Sequence, residues 1–97
     1  MNDTIWIHYA LPRSSWYELV EDTRAELQKR WDKIDNDAIS AGAQNMGTYF
    51  IRGQSDYATA SVWAFPSYDS AYDYWAAKVS AGYAEWYDFA NNVGRRS

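Results

Sequence analysis

A single histidine, His8, stands inside a run of β-branched and aromatic residues, Thr4 to Leu11 (TIWIHYAL). It is the one side chain whose unperturbed pKa lies near neutrality, which makes it the first candidate for a general acid or base. An ordinary strand histidine bonded to a neighbour is the competing reading, and an axial haem ligand is a narrower one. Period-two alternation separates Ile5, Ile7 and Tyr9 from Trp6, His8 and Ala10. The same alternation in Tyr57 to Phe65 (YATASVWAF) sets Ala58, Ala60, Val62 and Ala64 against Tyr57, Thr59, Ser61, Trp63 and Phe65. Small apolar residues suit a face beneath close-packed helices. Trp6, His8, Ser61, Trp63 and Phe65 are therefore expected together on the opposite, cavity-facing side, with Tyr49 from the preceding strand. Rings in such a wall could position a planar substrate, each stacked pair contributing about 0.5–1.5 kcal/mol, or could form a dry dimer core. Tyr72 and Trp75, three apart in a helical stretch, either touch the ligand or pack inside. Asp88, Asn91 and Asn92 would add polar groups, with Asp88 placed to orient His8 as carboxylates orient catalytic imidazoles.

Many chemistries are excluded. The chain has no cysteine, so disulfides, thiolate zinc sites, iron–sulfur clusters and a cysteine nucleophile are out. It contains no G-x-G-x-x-G, G-x-x-x-x-G-K or G-x-S-x-G sequence for dinucleotides, phosphates or a nucleophile elbow. The acidic runs Glu18-Glu21-Asp22 and Asp32-Asp35-Asp37 read as solvated helix faces, and neither a metal nor a cofactor is expected. With 9 basic and 13 acidic residues the net charge is −4, which gives no footprint for nucleic acid. Apolar runs are too short to span a membrane, and the polar start MNDTIW lacks the pattern of a signal peptide, so a cytoplasmic location is expected. Ninety-seven residues fit one domain, 1–97. Six Trp, nine Tyr and three Phe are more rings than so small an interior hides, so some should line a cavity or an interface.

The elements that must position these residues follow from pattern. Thr4 to Leu11, stopped by Pro12, reads as a strand. Ser15 and Glu18 form an S-x-x-E capping box, and Trp16, Leu19, Val20, Thr23, Leu27, Trp31, Ile34 and Ala38 make one apolar stripe, so a single long helix is expected up to Gly42. Asn36-Asp37 is a place for its end to fray. Gln44 to Arg52 and Tyr57 to Phe65 flank the turn cluster Gly53-Gln54-Ser55-Asp56 and predict an antiparallel hairpin. Ser67 can cap a second helix with a stripe of Ala71, Tyr72, Trp75, Ala76 and Val79, up to Gly82. Tyr83 to Val93 fits either a helix or a strand, with the balance toward a strand, and Gly94 to Ser97 reads as a loose polar end.

The order β-α-β-β-α-(β) is the ferredoxin-like α+β arrangement, an antiparallel sheet with two helices on one face. An apolar second face would be buried by pairing two copies, so a homodimer is expected. The capped helix, the hairpin and the stretch FPSYDSAYDYW resemble the dimeric α/β-barrel superfamily. That resemblance implies two sheets closing into a barrel around a cavity, and a range of activities among similar proteins: cofactor-independent monooxygenases, polyketide cyclases, lactone isomerases and haem-degrading enzymes. Function is left between three expectations. One is a small cofactor-free enzyme using His8 on an aromatic or polyketide-like molecule, another a binding module for a small planar hydrophobic ligand, and the third a dimerisation domain.

Overall fold

The computed structural model describes residues 2–53 and 55–97. Strand β1 (Thr4–Pro12) leads through α1 (Ser14–Glu18) and α2 (Glu21–Ser40) to β2 (Gln44–Phe50) and β3 (Thr59–Phe65). The chain continues through α3 (Tyr68–Ser80) and α4 (Tyr83–Trp86) into β4 (Tyr87–Arg95). All pairings are antiparallel and the sheet order is β2-β3-β1-β4, a ferredoxin-like α+β fold with the helices on one face. No helix of the described residues is long and apolar enough to cross a membrane.

The single long helix expected from Ser15 is two. Leu19 and Val20 are extended, and the Ser15–Glu18 capping box does not form, since α1 starts after Arg13 without a side-chain cap. Arg24 holds the break by donating from Nη1 to the carbonyls of Tyr17 and Leu19 at 3.1 and 3.0 Å. The kink turns Trp16 inward onto Trp31, with ring centroids 5.3 Å apart, and leaves Val20 exposed. Glu21 and Asp22 then sit in the first turn of α2, where the helix dipole favours them. That helix runs unfrayed through Asn36-Asp37 to Ser40, and Gly42, at φ +109°, reverses the chain as only glycine does easily.

The β2–β3 hairpin forms with a bulge between Asn45 and Gly47, but its connection runs from Ile51 to Ala58, longer than the four-residue turn expected. Gln54 of that turn lies outside the described residues. Ser67 caps α3 as expected: its Oγ accepts from the Ser70 amide at 3.1 Å, and Ser70 Oγ accepts from the Ser67 amide at 3.1 Å. The buried stripe of α3 is Ala71, Tyr74 and Lys78, with Trp75 half-buried, whereas Tyr72 and Val79 are exposed. Tyr83 to Val93 divides into one helical turn and a strand. Gly94 and Arg95 belong to that strand, opposite Ile5 and Thr4, so the end expected to be loose is largely sheet.

The faces of the sheet are reversed from the expectation. Thr4, Trp6, His8 and Ala10 pair with Phe65, Trp63, Ser61 and Thr59 on the side beneath the helices. Ile5, Ile7, Tyr9 and Leu11, with Ala60, Val62 and Ala64, form the uncovered side. Tyr57 precedes β3 and lies beside Tyr9, with ring centroids 6.1 Å apart, so it too leaves the Thr59 set. The physical reason is area. Burying two tryptophans and a phenylalanine removes far more apolar surface from water than burying alanines does, and the helical layer supplies the small residues, Ala38, Ala43 and Ala71, that make room for the rings.

Candidate functional site

His8 sits in the middle of β1 with its ring 5.0 Å from Trp6 and tilted only 20° from it. Trp75 and Tyr83 close its other sides at 5.3 Å each. Asn91 lies directly opposite His8 in the β1–β4 register, and its Oδ1 is 2.6 Å from His8 Nδ1. Tyr83, swung into place by Gly82 at φ +86°, brings its hydroxyl 2.8 Å from Nε2. An amide oxygen only accepts, so Nδ1 carries the proton. Nε2 is then the acceptor, and Tyr83 donates to it. Burial lowers the His8 pKa against the opposing effect of the hydrogen bond His8 donates to Asn91, and burial raises that of Tyr83. The pair is a neutral imidazole and a neutral phenol at neutral pH.

A second polar group lies alongside. Asp35 of α2 accepts at one oxygen, Oδ1, from Tyr74 at 2.5 Å and from Lys78 at 3.2 Å, both on α3. Lys78 Nζ also stands 4.9 Å from the centre of the Tyr83 ring, joining this group to the His8 group by a cation–π contact. Burial, followed by the nearby Asp35 charge, raises the Tyr74 pKa. Among the described residues, every buried side-chain nitrogen or oxygen has a partner. The two groups form an internal network in which both ring nitrogens of His8 are engaged.

The structure brings some expected site residues together and separates others. Trp6, Trp63 and Phe65 meet His8's side of the sheet, but around Tyr74 in the core, where the stacked Trp63 and Phe65 rings lie 5.7 Å apart. The aromatic wall is filled by the protein itself. Ser61 shares a hydrogen bond of 2.8 Å with Thr48 near the sheet edge. Tyr49 is on the uncovered face, opposite Ala60, and Tyr72 points outward from α3. Asp88 does not orient His8: it lies on the uncovered face, opposite Leu11, and pairs with Arg13 at 3.0 Å. Asn92 is on that face too, and Asn91 alone reaches the imidazole. Among the described residues no three His, Cys, Asp or Glu side chains gather to hold a metal. Sequence reasoning missed Tyr83, Tyr74, Asp35 and Lys78. The spacing 71, 74, 78 carries a signal for the last of these, masked because lysines are rarely buried.

No protein-family model matches the sequence, and no curated relative matches it. The fold is similar to solved structures. Chlorite dismutase from Candidatus Nitrospira defluvii, in complex with imidazole, superposes on 99% of this chain with a TM-score of 0.79 at 11% identity. A haem-binding protein from Thermus thermophilus superposes on 95% with a TM-score of 0.76 at 12% identity. The chain spans 41% and 39% of the length of those two proteins. Identities this low establish a shared fold.

Proposed function

We propose that the chain is a self-pairing, non-catalytic module in which two copies bring their uncovered sheet faces together as an α/β barrel. The observation that carries this reading is the face itself: Ile5, Ile7, Tyr9 and Leu11 along the central strand and Val62 and Ala64 beside them, with Ile5 41% exposed. A sheet of four strands, the longest of nine residues, offers about 19 × 30 Å of flat area. That is about 570 Å² in projection, near the lower end of the roughly 600–1,000 Å² per partner that stable interfaces bury. The structurally similar chains give a second support. Each is more than twice as long as the part this domain matches, so each has room for two such units.

Acid–base catalysis by His8 has less support. Both ring nitrogens are engaged and the side chain is 6% exposed, so a substrate reaches the imidazole only by breaking its contact with Tyr83 or Asn91. Haem carriage meets the same obstacle, because the chain's one imidazole has no free nitrogen to offer iron. Sedimentation equilibrium of the whole chain should give twice the 11.2 kDa chain mass. Ile7→Glu, on the uncovered face, should give a folded monomer. A wild-type monomer at micromolar concentration would overturn the reading.

A further inference from the structure

On the helical side, away from the uncovered sheet face, a cleft of about 320 Å³ opens between α2 and α3. Its size is near the lower end for small-molecule sites, about 300–1,000 Å³. Phe65 and Ala43 make the floor, and both are buried. Ala38 of α2 and Ala77 of α3 line the walls, and side chains this short leave the space above the floor unfilled. The charges around it are of one sign. Asp37 and Asp73 face the cleft from opposite helices, and no Lys, Arg or His lines it. Asp37 is engaged by Lys33 at 3.0 Å, while Asp73 makes no ion pair among the described residues.

We propose that this cleft binds a small apolar molecule carrying one protonated amine, its body on Phe65 and its ammonium group at Asp73. An apolar floor removes the body from water, and a lone carboxylate at the rim supplies the charge complement while staying hydrated enough to cost little. An anionic ligand would meet the Asp73 carboxylate with no Lys, Arg or His in the lining to offset it. The site belongs to the helical layer, so it stands whether or not two copies pair.

The test is an amide chemical-shift titration of the whole chain at neutral pH with tryptamine and with its uncharged analogue 3-ethylindole. Tryptamine should shift amides within 34–43 and 65–77, and 3-ethylindole should bind about fivefold more weakly, the scale of one part-exposed ion pair. Asp73→Asn should remove that difference. Ala77→Trp, at an exposed helix position, should fill the cleft and abolish the shifts while the spectrum stays that of a folded chain. No shifts at millimolar tryptamine, or shifts centred elsewhere, overturn the site. Equal affinity for the two indoles in the wild-type chain, or an Asp73→Asn variant that still separates them, overturns the cationic class.

Discussion

The hydroxyl of Tyr83 donates to Nε2 of His8 across 2.8 Å, joining residues 75 positions apart in the chain. Through this bond the single turn of α4 is pinned to the central strand. Trp31 adds a second pin by donating from Nε1 to the Ala81 carbonyl at 3.1 Å. The Tyr83 and Tyr87 rings then stack at 4.6 Å, which sets the start of β4. These contacts fix how the C-terminal segment of the chain meets the sheet.

Tyr83→Phe keeps the ring and its packing but leaves a buried imidazole nitrogen without its donor. The expected cost is about 1–3 kcal/mol in chemical denaturation. The ring nitrogen shifts of His8 should also change, because the Nδ1–H tautomer is no longer enforced from both ends. His8→Gln should be milder than His8→Ala, since Gln can still bond one partner while Ala leaves Asn91 and Tyr83 both unpaired beside a cavity. If Ala is tolerated better than Gln, or Tyr83→Phe leaves both stability and the His8 shifts untouched, the pinning role is wrong.

Stability should depend on pH at both ends of the neutral range, because burial disfavours the charged form of His8 on the acid side and of Tyr74 and Tyr83 on the alkaline side. The folded pKa of His8 lies below the 6.5 of the free side chain, because burial disfavours the charged ring. Below pH 6.5 the unfolded chain therefore binds a proton that the folded chain refuses, and stability falls as pH drops toward the lowered value. The slope from this one group is at most about 1.4 kcal/mol per pH unit. For Tyr74 and Tyr83 the folded pKa is raised above 10.0. Their contribution is present below pH 10 and is lost as pH rises beyond it, where only the unfolded chain ionises. Denaturant midpoints measured across pH should show both limbs, and His8→Gln should flatten the acid one. An acid limb as steep in His8→Gln as in the wild type would assign it to the carboxylates instead.

How much of this was legible in the sequence depends on which physical signal each part left. The strands were readable because β-branched and aromatic runs end at Pro12 and Pro66, and the α3 cap because Ser67 stands where a helix must start. The sheet face was misread because period two yields two faces without saying which is covered. The helices decide it, and their small residues, Ala38 and Ala71, with Ala43 in the turn after α2, accept large partners. The break at Leu19-Val20 was hidden inside a stripe that continues in phase across it. His8 was correctly singled out, but its partners come from positions 83 and 91, and no local spacing announces contacts formed by strand register and by a one-turn helix. Lys78 was invisible because its burial depends on Asp35, on another helix.

Adjacent residues on β3 separate the two faces. Val62 belongs to the uncovered side, opposite Ile7, and Trp63 to the core, opposite Trp6. Trp63→Asp removes a buried indole, a loss of about 3–5 kcal/mol, and puts an unpaired carboxylate among Trp6, Phe65 and Tyr74. A small domain with about 5–15 kcal/mol of stability does not survive much of that, so the variant should lose its cooperative unfolding transition. Val62→Asp puts the same carboxylate one residue away on the face that a lone copy exposes to water. Its chain should keep the wild-type circular dichroism and melt within a few degrees of the wild-type monomer, but it should sediment as a single chain, because two such charges would be brought together between the sheets. The pair of measurements reads the covered and the uncovered face directly. A folded Trp63→Asp would contradict the face assignment, and a Val62→Asp chain that still sediments as a pair would place any self-association elsewhere on the molecule.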